Sequence, residues 1–373
     1  MPLRARPEIE KLAPAAHGGP DYAELNASGF KPEDVMDFSV CSNPYIPPPE
    51  LSGLVASEDI GRLPDSEAIG LRGRLSKSLG VPATNILAAN GSTELIRLVA
   101  LAYFGRGDTV LVLEPTFGEY EVACRISGAD VIKQIASEEA GFAQNISEII
   151  ARIKKSRAKG VFICNPNNPT GRYLGRSEIE AVLDACPETL LVLDEAYTAF
   201  VLESWNSLEL TTRENLVILR SMTKDYALGG LRLGYAVANR KIIDILRRIN
   251  QPWNVNVVAQ QAGIAALDEQ VSLERSLHKT WIARGYLVVE LRKLGYKPLP
   301  SETHFFLMKV GNAQEFRAAL LKQGMLVRDC ASFGLPEYIR IAARTLPECR
   351  KLIAAIKALK KNKIQWKQIS GGE

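Results

Sequence analysis

No apolar run in this sequence reaches the ~18–20 residues that a membrane-spanning helix needs, so a membrane protein is not expected. The opening stretch MPLRARPEIEKLAPAAHGG has two early arginines but no apolar segment behind them, and no secretory signal is expected there. Cysteine is scattered: Cys41, Cys124, Cys164, Cys186, Cys330 and Cys349 form no CxxC pair. Several lie in apolar runs, which suits buried free thiols in a reducing, cytoplasmic setting, and no metal site is expected. A dominant charge is lacking too. With 46 Lys and Arg against 42 Asp and Glu, the net charge of +4 points to no nucleic-acid or membrane partner. Part of that excess (Lys360, Lys361, Lys363 and Lys367) reads as a solvated helix end. There is no internal repeat and no low-complexity block. No Gly-x-Gly-x-x-Gly turn follows the first strand, which excludes a nucleotide-dependent dehydrogenase.

What is present is length and order. The 373 residues suffice for one large α/β domain and a smaller one. The first fifty are irregular, ending in Pro44, Pro47, Pro48 and Pro49, which suit neither a regular helix nor a central strand. They are expected to form an arm joining the small domain. A helical pattern starts near residue 66, runs through Ile69, Leu71 and Leu75, and stops at Gly80. Four strand-length apolar runs follow: Val110–Leu113, Val161–Cys164, Leu190–Leu193 and Leu216–Leu219. Each is apolar on both faces and separated from the next by room for a helix, the pattern of a covered parallel sheet. The fold expected is therefore α/β, a three-layer sandwich with a mostly parallel central sheet over residues 51–258. A smaller α+β domain is expected over 259–373, from a helix at Val271–Leu294, strands at His304–Val310 and Tyr338–Ile341, and a closing helix near Glu348–Leu359.

Ligands bind beyond the carboxyl ends of such strands. The segments there are Glu114-Pro-Thr-Phe-Gly-Glu-Tyr120, Asn165-Pro-Asn-Asn-Pro-Thr-Gly171, Asp194-Glu-Ala-Tyr197 and Arg220-Ser-Met-Thr-Lys224. A lone lysine is usually a solvated charge. Lys224, however, follows two hydroxyls, Ser221 and Thr223, and precedes Arg232 beyond two glycines. Hydroxyls and a guanidinium fork make a phosphate cradle, and a desolvated lysine beside it becomes an imine-forming nucleophile. Asp194 reads either as a helix cap or as the acid that keeps a pyridine nitrogen protonated. Asn168 and Tyr197 could then meet the ring's phenolic oxygen. Gly91, Ser92 and Thr93 open a helix, whose free N–H groups bind anions. Phe117 is a candidate to stack on the ring, although an isolated aromatic is more often core.

In order, Gly91-Ser-Thr-Glu, Pro115-Thr-Phe, Asn167-Asn-Pro-Thr-Gly171, Asp194-Glu-Ala-Tyr197, Ser221-x-Thr-Lys224 and Gly230-Leu-Arg232-Leu-Gly resemble the fold-type I aminotransferases over essentially the whole chain. The resemblance implies a pyridoxal 5'-phosphate (PLP) enzyme with Lys224 as the Schiff-base lysine and Asp194 on the pyridinium nitrogen. It also implies Asn168 and Tyr197 on the ring oxygen, Phe117 stacked on the ring, and Gly91, Ser92, Thr93, Ser221, Thr223 and Arg232 around the phosphate. Arg340 in Tyr338-Ile-Arg-Ile341 would grip a substrate anion. A PLP-binding regulator would carry an added DNA-binding domain, and the proline-rich segment before the core is too short for one.

Within the family, the chain resembles histidinol-phosphate aminotransferases and the L-threonine-O-3-phosphate decarboxylases of cobamide synthesis. His17-Gly-Gly19, Asp37-Phe-Ser39, Asn43-Pro44 and Val327-Arg-Asp-Cys-Ala-Ser-Phe-Gly-Leu-Pro336 resemble the decarboxylases. This resemblance implies substrate phosphate or carboxylate as the partner of His17, Asn43 and Arg328, while His17 reads equally as an exposed histidine of the arm. The family's Arg-Tyr-Pro-Asp stretch, whose tyrosine crosses a homodimer interface, reads Arg62-Leu63-Pro64-Asp65 here. Phosphothreonine decarboxylation is ranked first and transamination of histidinol phosphate or a related amino acid, with 2-oxoglutarate, second. Both use the same visible residues.

Overall fold

A computed structural model describes residues 4–10, 12–45 and 61–369, with side chains to residue 361. Pro47, Pro48 and Pro49, and the expected arm boundary at residue 50, lie outside the described residues, as do the side chains of Lys363 and Lys367. The chain divides into two compact units: residues 1–15, 46–168 and 172–274, and residues 16–45, 169–171 and 275–373.

The first unit is built on a seven-stranded sheet. Its strands are β2 (Ile86–Ala89), β3 (Thr109–Glu114), β4 (Asp130–Ile135), β5 (Gly160–Cys164), β6 (Leu190–Asp194), β7 (Leu216–Ser221) and β8 (Gly234–Ala238). The order is β2-β8-β7-β6-β5-β3-β4, and every pairing is parallel except the two made by β8. The four apolar runs are β3, β5, β6 and β7, the middle of the sheet, and each is buried on both faces because helices cover both. Alternate residues face opposite layers. Leu111, Ile163, Leu193 and Ile218 pack with the helices Ile69–Leu79, Ile146–Ser156, Arg176–Ala185 and Val257–Ala266. Val112, Phe162, Val192 and Val217 pack with Ser92–Tyr103, Glu119–Ser127 and Arg240–Ile249. This is the expected three-layer sandwich. Gly80, at φ +68°, ends the helix that the sequence stops there.

The second unit contains β1 (Met36–Asp37) paired in parallel with β10 (Met325–Leu326), and an antiparallel sheet in the order β11-β12-β9. Its strands are β9 (Phe305–Lys309), β11 (Arg328–Asp329) and β12 (Tyr338–Ala342). Phe38, Leu287, Phe306, Met308, Ile339, Ile341, Leu352 and Ile356 form its core.

Two expected boundaries move. The helix Val257–Ala266 belongs to the first unit, not to the small C-terminal one, because Ala259 and Ala266 complete a core layer and Gly263 lets Leu71 and Leu233 approach. The unit boundary therefore falls at 274, inside the helix Gln270–Lys293. The N-terminal arm is also split. Glu8 pairs with Arg106 and Arg6 donates to the Ile126 carbonyl, which holds the segment around Arg6 and Glu8 on the first unit. Residues 16–45 join the second through β1 and the Glu24–Arg317 ion pair. Among the described residues, no helix is long and apolar enough to cross a membrane.

Candidate functional site

Because β2, β3, β5, β6 and β7 run parallel, their carboxyl ends lie along one edge of the sheet and deliver their following loops to the same side. The register makes the alignment specific: Cys164 sits opposite Asp194, and Asp194 opposite Leu219. The loops are tied to one another. Asn167 Nδ2 donates to the Pro115 carbonyl (2.9 Å), and the Thr116 hydroxyl donates to Asn167 Oδ1 (2.7 Å). This joins the segment bearing Phe117 to the one bearing Asn168. Asn165 N–H donates to the Asp194 carbonyl (2.8 Å), and Glu195 N–H to that of Leu219 (2.8 Å).

One end of this edge is an anion cradle. The helix Ser92–Tyr103 starts directly after β2, so its first N–H groups have no partners within the helix. Gly91 (φ +80°) carries the Arg232 guanidinium against its Cα; a Cβ there would meet Nη2 at 2.9 Å. Gly234 pairs with Ser221 across β7 and β8, and a Cβ on it would meet the Ser92 nitrogen at 2.7 Å. Next to it, the Ser221 and Thr223 hydroxyls are hydrogen-bonded to each other at 2.7 Å, both side chains buried. Helix start, two hydroxyls and a guanidinium thus converge where no side chain intrudes, the donor set that a phosphate monoester requires.

Asp194 is 3% exposed. Burial pushes its carboxyl up; the Tyr120 hydroxyl (2.8 Å to Oδ2), the Ala196 N–H (3.0 Å to Oδ1) and the charge of Lys224 pull it back. Lys224 itself is half-buried, in the turn after β7. Tyr197 and Asn168 are buried in the turns after β6 and β5. Phe117 stands edge-on to Tyr120, their centroids 5.7 Å apart. The sequence-predicted set of Gly91, Ser92, Thr93, Phe117, Asn168, Asp194, Tyr197, Ser221, Thr223, Lys224 and Arg232 thus falls within the loops of one sheet edge. Tyr120, Thr116 and Asn167 were missed as site residues. The signal was available, since all three lie in the segments that follow β3 and β5.

In the second unit, Arg328 and Arg340 are direct cross-strand partners on β11 and β12. Arg328 donates to the carbonyls of His17 (2.7 Å) and Ala16 (3.0 Å) and to the Ser332 hydroxyl (2.7 Å). Burial and the charge of Arg340 both push its pKa down. Arg340 is 5% exposed and donates to the Ser39 carbonyl, while Ser39 is held by Asp37 Oδ1 (2.6 Å from its hydroxyl). Gly18 lies against both arginines, each within 3.6 Å of where its Cβ would be. His17, Arg328 and Arg340 are therefore together, with His17 contributing its backbone carbonyl. Asn43 is engaged elsewhere, donating to Ser276 (2.7 Å) and accepting from Tyr45 N–H (3.2 Å).

Comparison with known proteins gives the family. A family profile described as aminotransferase class I and II matches residues 33–356. The chain is 34% identical to a histidinol-phosphate aminotransferase of Symbiobacterium thermophilum, covering 95% of this chain and 98% of that one. It is 30% identical to one of Methanocaldococcus jannaschii, over 95% and 97%. Among solved structures, the L-threonine-O-3-phosphate decarboxylase of Porphyromonas gingivalis is 30% identical with a TM-score of 0.78, covering 88% of this chain and all of that one. The chain belongs to the class I and II aminotransferases, enzymes that work with pyridoxal 5'-phosphate.

Proposed function

We propose that the protein is an aminotransferase whose amino donor is a small phosphorylated amine or amino acid, histidinol phosphate first among candidates, with 2-oxoglutarate as acceptor. The observation that carries the substrate class is the Arg328–Arg340 pair. Like charges directly opposite across two strands repel, and a phosphate dianion or a pair of carboxylate oxygens offsets that repulsion while taking both guanidinium forks. The first-ranked sequence reading, phosphothreonine decarboxylation, gives way because relatives aligned over nearly the whole chain bear the aminotransferase name.

PLP, when bound, supplies the electron sink for the bond that breaks at Cα. In this reading Lys224 Nζ would anchor the cofactor and would serve as the general base toward the substrate's Cα proton. Asp194 holds the proton on the ring nitrogen. Asn168 and Tyr197 hydrogen-bond the ring oxygen, and Phe117 covers one ring face. Ser92, Thr93, Ser221, Thr223 and Arg232 hold the phosphate, with Gly91 allowing the close approach. His17, Arg328 and Arg340 serve the substrate's anionic groups. Histidinol phosphate has no carboxylate to lose, so proton removal is its only course. Phosphothreonine has one, and how that carboxylate is held decides its fate.

Decarboxylation stays as the second reading for a specific reason. The two segments that resemble the decarboxylases meet, since Arg328 binds the His17 carbonyl. The purified protein should be given each substrate, with CO2 and 2-oxoglutarate-dependent glutamate formation measured in parallel. Transamination predicts glutamate only with histidinol phosphate and acceptor present; CO2 from phosphothreonine alone would reverse the ranking, and product from neither refutes both. We further propose a cytoplasmic homodimer, for which sedimentation should give twice the 40.9 kDa chain mass.

A further inference from the structure

We infer that Tyr120 is a positioning residue for Asp194: locked in an aromatic slot, its hydroxyl fixes the carboxylate proposed to pair with the ring nitrogen of PLP. The inference rests on that reading of Asp194. Tyr120 stands on the first turn of the helix Glu119–Ser127 and is fully buried. A buried phenol must direct its O–H to a partner, and the partner is Asp194 Oδ2 at 2.8 Å. The direction of that O–H is not free. The ring is stacked on Phe162 of β5, with centroids 5.0 Å apart at 14°, and Phe117 closes on it at 81°. With two side-chain torsions held by packing, the hydroxyl points to one place.

Asp194 is thereby held by a donor on each oxygen, Tyr120 on Oδ2 and the Ala196 N–H on Oδ1. Two donors stop the carboxylate from rotating and favour its charged form against burial. A neutral Asp194 could not keep a proton on the ring nitrogen. The Tyr120 phenol is itself held protonated by burial and by the neighbouring carboxylate, so it remains a donor throughout the working range. The same ring touches Phe117, so one side chain sets both the proposed stacking residue and the proposed nitrogen partner.

The test compares equilibrium binding of PLP with that of its 1-deaza analogue, in which a C–H replaces the ring nitrogen, to wild type and Tyr120→Phe. Wild type is expected to prefer PLP. Tyr120→Phe should lose roughly tenfold of that preference, the worth of a hydrogen bond to a charged acceptor, while its affinity for the analogue stays within about twofold. The preference should also fade at lower pH in the variant, since losing the donor raises the Asp194 pKa and leaves the carboxyl neutral over more of the acid range. Equal weakening toward both ligands would mean a packing role and overturn the inference, as would an unchanged preference. A wild type with no preference would refute the Asp194 reading and this inference with it. Should Tyr120→Phe not fold, 3-fluorotyrosine at position 120 keeps the shape and strengthens the donor. It should hold or raise the preference, and a fall overturns the proposal.

Discussion

Gly234→Ala is a one-methyl change whose effect can be worked from the backbone alone. A Cβ at Gly234 would lie 2.7 Å from the Ser92 nitrogen, 2.9 Å from the Gly91 carbonyl carbon and 3.0 Å from the Arg220 carbonyl oxygen. Ordinary Cβ contacts begin near 3.4 Å, so three main-chain atoms must together give about half an ångström or more. None is the end of a flexible side chain. Two belong to the start of the helix Ser92–Tyr103, and the third to β7 just before Ser221. Overpacking of this kind costs roughly 1–3 kcal/mol. In a unit of this size that is a Tm loss on the order of 5 °C. Function should suffer more than stability, because the displaced atoms are those proposed to hold the cofactor phosphate. PLP affinity should fall by about tenfold or more, while inorganic phosphate loses its ability to compete with PLP. Differential scanning fluorimetry and PLP titration measure the two effects. Gly230→Ala is the control, since a Cβ there meets nothing within 4 Å. If Gly234→Ala binds PLP as tightly as Gly230→Ala, the cradle is not where the geometry puts it.

Other consequences are as specific. Arg340→Lys keeps the charge but loses the planar fork, so KM for the phosphorylated substrate should rise about tenfold or more with PLP affinity unchanged; steady-state kinetics and cofactor titration separate the two. Burial pushes the Asp225 carboxyl up to about 7 from its ordinary 3.8. A raised acid pKa means that the unfolded state ionises first, so stability falls as pH rises from about 4 through 7. Asp225→Asn should therefore gain Tm over wild type at pH 8 and show no gain at pH 4. The six cysteines are buried and free, and burial pushes Cys124, Cys164, Cys330 and Cys349 up to about 12. A colorimetric thiol reagent at pH 8 should label them slowly in the native protein and promptly in denaturant; fast native labelling would mean that the cores open readily.

The central strands were legible in the sequence because burial on both faces forces an unbroken apolar run, as in Leu190–Leu193 and Leu216–Leu219. β4 was not, because it is an edge strand with its residues half in solvent, and its Asp130-Val-Ile-Lys-Gln-Ile135 carries no such run. β8 was hidden inside the glycine-rich stretch after Lys224, where Gly234 serves close packing and not a turn. The expected boundary after residue 258 cuts the helix Val257–Ala266, because sequence pattern can show a buried face but not which core that face joins. Asn43 was offered to the substrate on motif order, yet its side chain is bonded to Ser276.

By itself, then, the sequence determined the α/β class, the family and the cofactor, because these depend on runs, spacings and motif order along the chain. Tertiary structure decided the rest. It set Arg328 opposite Arg340, aimed Tyr120 at Asp194 across 74 residues of chain, and brought Gly234 under the Ser92 nitrogen. Each is a long-range contact fixed by strand register and side-chain packing, and neither leaves a periodic trace in the residues that make it.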